Sequence, residues 1–158
     1  MAKKTADREI VVKRVIDAPR ELVFAAWTER EHAEKWWVPS GTTTQEWNVK
    51  PGGLWRYSQP GPNGAEYPFK VEFVEIAKPT RLVYDFGTDA EEAPEPVHTT
   101  VTFEEQDGKT EVTLQLLFAT AAEREKSVKY GGIVGAMQAL ENLTDYLAKV
   151  RVRQVSSP

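Results

Sequence analysis

The chain has 158 residues, of which 41% are hydrophobic, 28% charged and 10% aromatic, with a formal charge of −4 and no cysteine. A domain of this length buries roughly 70% of the surface its unfolded chain exposes, so a core forms without staples, and the absence of thiols excludes disulfides, thiolate metal sites and a cysteine nucleophile. Lys and Arg are scattered rather than clustered, which argues against nucleic acid as a partner, and no apolar run approaches the ~18 residues of a membrane span.

In chain order, Met1 to Asp7 is polar with no apolar core, so no signal peptide is expected. Together with the missing cysteines this fits a reducing, cytoplasmic location. Arg8 to Ile16 is β-branched and apolar and predicts a strand. Asp17-Ala18-Pro19 breaks it, and proline suits the first position of a helix. Leu22, Val23, Ala26 and Trp27 then form one apolar stripe, predicting a short helix from Pro19 to Trp27. Thr28 and Glu31 have capping-box spacing and are expected to start a second short helix that ends at Trp36 or Trp37, before Pro39.

Strand patterns follow. Thr43 to Val49 and Leu54 to Gln59 form a hairpin about Pro51-Gly52-Gly53, and Gln59 to Gly64 is a loop. Tyr67 to Ala77 is a long strand whose alternation slips at Phe73/Val74, the signature of a β-bulge. Arg81 to Phe86 is the next strand, and the acidic, proline-rich stretch from Gly87 to Pro96 is a loop. Val97, Thr99, Val101 and Phe103 alternate with polar neighbours, Asp107-Gly108 is a hairpin turn, and Val112, Leu114, Leu116 and Phe118 alternate in turn. Ala121 to Lys129 is a good helix former. Beyond Gly131, Gly132 and Gly135, the residues Ile133, Met137, Leu140, Leu143 and Leu147 recur at steps of three or four, predicting an amphipathic helix of about 18 residues. The expected fold is α+β: a curved antiparallel sheet of about seven strands wrapped around a long C-terminal helix, with two short helices after the first strand.

Such a sheet leaves an interior that is either packed or hollow. The three glycines at the start of the long helix are open to three readings: room for a ligand, a kink, or close backbone approach. The candidate pocket wall is Trp36, Trp37, Trp47, Trp55, Tyr57, Phe69, Phe73, Tyr84 and Phe86, with His98 and, on the long helix, Ile133, Val134 and Met137. Alternation puts Trp55 with Tyr57 on one face and Tyr84 with Phe86 on one face but leaves open which face is inward.

Five stretches taken together resemble a known family: RVIDAPRELVFAAWT (Arg14 to Thr28), WWVPSGTT (Trp36 to Thr43), KPGGLWRY (Lys50 to Tyr57), VEFVEIAKPTRLVYDF (Val71 to Phe86) and ENLTDYLAKV (Glu141 to Val150). They are similar to the branch of the START / Bet v 1-like (SRPBCC) superfamily named after the activator of heat-shock protein 90 ATPase. The resemblance covers Arg8 to Val150, so it implies one domain over 8–150 with tails at 1–7 and 151–158. It implies a helix-grip fold with an apolar cavity between the C-terminal helix and the sheet. Relatives include lipid carriers, hormone receptors, polyketide cyclases and chaperone regulators. Many members carry Gly-Trp at the start of the final helix, where this chain has Tyr130-Gly131-Gly132, so the identity of a ligand does not carry over.

No catalytic constellation stands out. The two histidines, His32 and His98, are far apart in sequence and match no metal-ligand spacing. There is no G-x-S-x-G elbow, and Pro51-Gly52-Gly53 does not open a helix as a phosphate loop would. Glu46, Glu72, Asp85, Tyr57 and Tyr84, with Arg56 as an oxyanion partner, are the candidates for proton chemistry in a dry cavity. The expected function is binding of a small hydrophobic molecule, with no catalytic residue, metal or cofactor. A cyclase- or dehydrase-like enzyme in the same cavity and a chaperone ATPase-associated regulator are the alternatives. The expected partners are that small molecule and, more weakly, a chaperone, with the chain a monomer or weak homodimer.

Overall fold

The computed structural model describes residues 7–91, 93 and 95–156, with side chains described as far as residue 150. Residues 1–6 and 157–158 of the expected tails, and Glu92 and Pro94 of the acidic loop, lie outside the described residues. The elements run β1 (Glu9–Ile16), α1 (Arg20–Thr28), α2 (Arg30–Trp36), β2 (Thr43–Trp47), β3 (Leu54–Pro60), β4 (Glu66–Ala77), β5 (Arg81–Thr88), β6 (Val97–Gln106), β7 (Lys109–Leu117), α3 (Ala121–Lys129) and α4 (Gly132–Ser156). A single 3-10 turn at Pro62–Gly64 joins β3 to β4.

The strands form one seven-stranded antiparallel sheet in the order β1-β7-β6-β5-β4-β3-β2. Alternation fixes which side is inward. Ile10, Val12 and Ile16 of β1, Val101 and Phe103 of β6, and Val112 and Leu114 of β7 are buried, while Val11 and Val15 face outward. The hairpin between β6 and β7 turns on Asp107 (φ 52°) and Gly108 (φ 81°), both left-handed as a two-residue turn requires. The bulge expected in β4 is present: the register with β5 slips between Phe73 and Glu75. That extra residue bends β4 and tightens the curl of the sheet.

The helices close the curled sheet. Pro19 is the N-cap of α1, Glu21 lies in its first turn, and Val23, Phe24, Ala26 and Trp27 form its buried stripe. The capping box expected at Thr28 does not form. Thr28 is the last residue of α1, and its hydroxyl is turned back along that helix, donating to the Phe24 carbonyl at 3.0 Å, rather than standing at the start of α2 to accept from its free N–H groups. α2 starts instead after Glu29, whose extended backbone (φ −106°, ψ 128°) makes the corner between the two helices.

α4 buries Ala136, Leu140, Leu143 and Leu147 and packs against β1, α1, α2 and α3. It is tied to β1 by an Arg14–Glu141 ion pair at 3.0 Å. Its backbone stays helical to Ser156, beyond the end expected near residue 150, so residues 151–156 are helix rather than tail. The whole is a helix-grip arrangement, with the core between sheet and helices.

Candidate functional site

A chain of touching aromatic rings runs through the interior. At one end Phe24 and Trp27 meet Phe103, with centroids 5.3 and 5.5 Å apart. Trp27 meets Trp36 at 4.8 Å, and Trp37 touches Trp36, Trp55 and Tyr84 at 5.7, 5.0 and 5.3 Å. From Trp55 the contacts continue to Trp47 at 5.0 Å and to Tyr57 at 4.7 Å, then from Tyr57 to Phe69 and from Phe69 to Phe86, each at 5.7 Å. Phe73 joins through Tyr84 at 6.4 Å. The rings come from α1, α2 and five strands, and the inward phase of each strand supplies them. Trp36, Trp55, Tyr57, Phe73 and Tyr84 are buried; Trp37, Trp47, Phe69, Phe86 and Ile133 are partly buried against the same core.

Burial forces the polar ends of these rings to find partners. Trp36 Nε1 donates to the Ala26 carbonyl at 2.8 Å, and Trp55 Nε1 donates to Thr44 Oγ1 at 3.1 Å. Thr44 Oγ1 in turn donates to Glu34 at 2.5 Å. Two phenols lie deep inside. Burial pushes the Tyr57 hydroxyl well above its ordinary pKa, and nearby Tyr84 adds to the shift. Burial raises Tyr84 as well, opposed by the indole N–H of Trp27. That N–H is buried without a well-formed hydrogen bond, so it faces the Tyr84 hydroxyl too loosely to count as a donor to it. Neither phenol is poised to lose its proton near neutral pH.

The aromatic chain ends in a cleft. Where β5 and β6 run out beneath α3 there is a cavity of about 340 Å³, lined by Phe69, Phe86, Gly87, Thr88, Glu95, Val97, Phe118, Ala119, Glu123, Lys126, Ser127 and Tyr130. Its floor is apolar: Phe69 and Phe86 lie almost parallel, 10° apart, flanked by Val97 and buried Phe118. Its rim is polar and exposed, carrying Glu95, Glu123, Lys126 and Tyr130. Of the residues expected to form a pocket wall, only Phe69 and Phe86 line it.

Sequence reasoning missed Phe118, Val97 and the residues of α3. Phe118 had a signal, as the last apolar residue in the β7 alternation. The α3 residues had none, because only the tertiary fold brings that helix over the end of the sheet.

Three expected residues lie outside both the cleft and the core. His98 is on the opposite face of β6 from Val97 and Thr99, where its Nδ1 meets Asp85 Oδ1 at 2.7 Å. Val134 and Met137 are 71% and 57% exposed on the outer side of α4.

The glycines make no ligand space either. Gly131 ends α3 with φ +90°, a conformation that favours glycine. A Cβ on Gly132 would overlap Ser127 Oγ and come 2.9 Å from the Ser127 carbonyl, so this glycine serves close approach to α3. Gly135 faces open space.

The candidates for proton chemistry are also dispersed. Glu46 and Glu72 are exposed and Asp85 is half-buried. Arg56 is held outside by Asp89 at 2.8 Å and Glu46 at 3.7 Å, while Tyr57 beside it points inward. Among the described residues, Glu29, Glu31 and His32 hold their ligand-type atoms within 4.8 Å of one another. The carboxylates are exposed, and His32 Nδ1 is engaged with the Tyr146 hydroxyl at 2.5 Å.

A family model described as Activator of Hsp90 ATPase homolog 1-like protein matches residues 17–148. Solved structures share the fold. Ms6760 from Mycobacterium smegmatis has a TM-score of 0.80 at 23% identity, covering 93% of this chain and 95% of its own. A protein from Arthrobacter aurescens has a TM-score of 0.81 at 24% identity, covering 93% and 90%. One from Staphylococcus epidermidis has a TM-score of 0.77 at 26% identity, covering 90% of each chain. No curated protein matches. No helix among the described residues is long and apolar enough to cross a membrane.

Proposed function

We infer, from the premise that this chain belongs to the Activator of Hsp90 ATPase homolog 1-like family, that it binds a small apolar molecule in the cleft beneath α3. The observation that carries this reading is the floor of parallel Phe69 and Phe86 rings, left partly uncovered at the end of the sheet. A protein interior ordinarily closes over such rings; here about 340 Å³ stays open above them. That is the lower end of the size range of small-molecule pockets and suits a ligand of one or two rings or a short alkyl chain. A single domain over residues 8–150 supplies every group involved. The titratable groups of the cleft are at its rim and its floor is hydrocarbon, which favours holding a molecule over transforming it.

The test is native mass spectrometry of the chain purified gently from its own host, followed by titration with the apolar fluorophore N-phenyl-1-naphthylamine. A reproducible added mass, lost on denaturation, is expected. Ala119→Trp places an indole in the mouth from an exposed position and is expected to weaken the fluorophore at least ~10-fold, the loss of roughly one buried aromatic contact. Unchanged affinity in a correctly folded Ala119→Trp protein would place the binding elsewhere and overturn the assignment.

A further inference from the structure

We propose that the elbow joining α3 to α4 docks on an anionic lipid surface. Tyr130, Val134 and Met137 are 76%, 71% and 57% exposed, the three most exposed large apolar side chains among the described residues. Val134 and Met137, three residues apart, share one face of the start of α4, and Tyr130 precedes them at the C-cap of α3, on the corner made by Gly131. Gly131 and Gly135 on this stretch meet nothing within 4 Å of a built Cβ. The elbow is therefore open to solvent on this side rather than roofed by a neighbouring element, an exposure suited to a deformable, flat partner. A tyrosine with its ring inward and hydroxyl outward suits the boundary between headgroups and acyl chains.

Charge selects the kind of surface. The chain is net acidic at −4, yet the last turn of α3 carries Lys126 and Lys129. Neither enters an ion pair among the described residues. The carboxylates nearest in sequence are largely neutralised or set back. Glu125 is paired with Arg124 at 2.7 Å and Glu141 with Arg14 at 3.0 Å, while Glu123 is in the first turn of α3, where the positive helix end favours it. Apolar side chains flanked by free ammonium groups are the pattern of a segment lying on an anionic bilayer. The cleft is continuous with the elbow, because Tyr130 and Lys126 also form its rim. The docking goes beyond the ligand reading and stands without it.

The test is co-flotation of the full chain with vesicles of phosphatidylcholine alone and of an equimolar mixture with phosphatidylglycerol. Binding to the mixed vesicles only is expected, weakening as salt is raised. Lys126→Gln and Lys129→Gln should each lower it about five-fold. Val134→Asp/Met137→Asp should lower it at least ~10-fold, with unchanged circular dichroism because both side chains are exposed. Equal recovery with and without vesicles overturns the proposal, as does binding that the double Asp variant leaves intact. Concentration-dependent dimers that the same variant abolishes would assign the elbow to a second copy of this chain instead, and would also overturn it.

Discussion

Raising the pH tests the interior directly, because Tyr57 and Tyr84 are held protonated by burial. Below about pH 10, the ordinary tyrosine value, both phenols are neutral in the folded and the unfolded chain and add no pH dependence. Above it, the unfolded chain releases both protons while the folded chain keeps them. The unfolded state then binds fewer protons, so stability falls as pH rises, by about 1.4 kcal/mol per pH unit for each phenol. Summed over the two, the loss reaches roughly 3 kcal/mol by about pH 11, a sizeable share of the ~5–15 kcal/mol that holds an ordinary domain. Urea unfolding across this range, followed by tryptophan fluorescence, measures the slope, and phenolate absorbance of the native protein counts the resistant tyrosines. Lysines also titrate here, so the decisive comparison is with Tyr57→Phe/Tyr84→Phe, whose slope should be shallower by the two-phenol amount. An unaltered slope, or all five tyrosines ionising together near pH 10, would refute the burial of these hydroxyls.

The glycines at the elbow should separate cleanly. Gly135→Ala, facing open space inside a helix, is expected to stabilise the fold by up to ~1 kcal/mol. Gly132→Ala, against Ser127, should cost about 1–3 kcal/mol; thermal melts of the two variants shifting the same way would contradict the packing of α3 on α4. Thr110 is fully buried and its hydroxyl donates to the Ala18 carbonyl at 2.8 Å. Thr110→Val keeps the shape but strands that carbonyl, so chemical denaturation should show a loss of about 1–3 kcal/mol, and a neutral result would mean that water replaces the hydroxyl.

The fold was legible because its signals are local and periodic. The alternation through Thr99, Val101 and Phe103, the slip at Val74, and the spacing of Leu140, Leu143 and Leu147 each depend on a few neighbouring residues, and all appear as expected. The site was less legible because it depends on phase and on distant pairing. His98 differs from Val97 by one strand position, which sends it to the other face. Met137 follows buried Ala136 by one residue, a rotation of about 100° around the helix, and so leaves the stripe despite fitting the three-and-four spacing. Val134 lies outside that spacing altogether, and both residues are exposed. The cleft joins β4, β5, β6, the end of β7 and α3, a meeting that no window of sequence contains.

The distribution of tryptophan explains why the opening lies where it does. All five tryptophans, Trp27, Trp36, Trp37, Trp47 and Trp55, gather around α1, α2 and the β2–β3 hairpin, where the two short helices plug one end of the curled sheet. Large rings fill that end, so residues such as Trp55 are sealed completely. At the other end the cover is α3, which buries none of its own residues and meets the rest of the chain chiefly through α4. A helix so thinly packed cannot press down on the sheet as α4 does, and the last rings of the aromatic chain, Phe69 and Phe86, stay partly open beneath it. The same thin packing lowers the free energy needed to lift α3 locally, so α3 is expected to open at less cost than α4, whose Leu140, Leu143 and Leu147 are buried in the core.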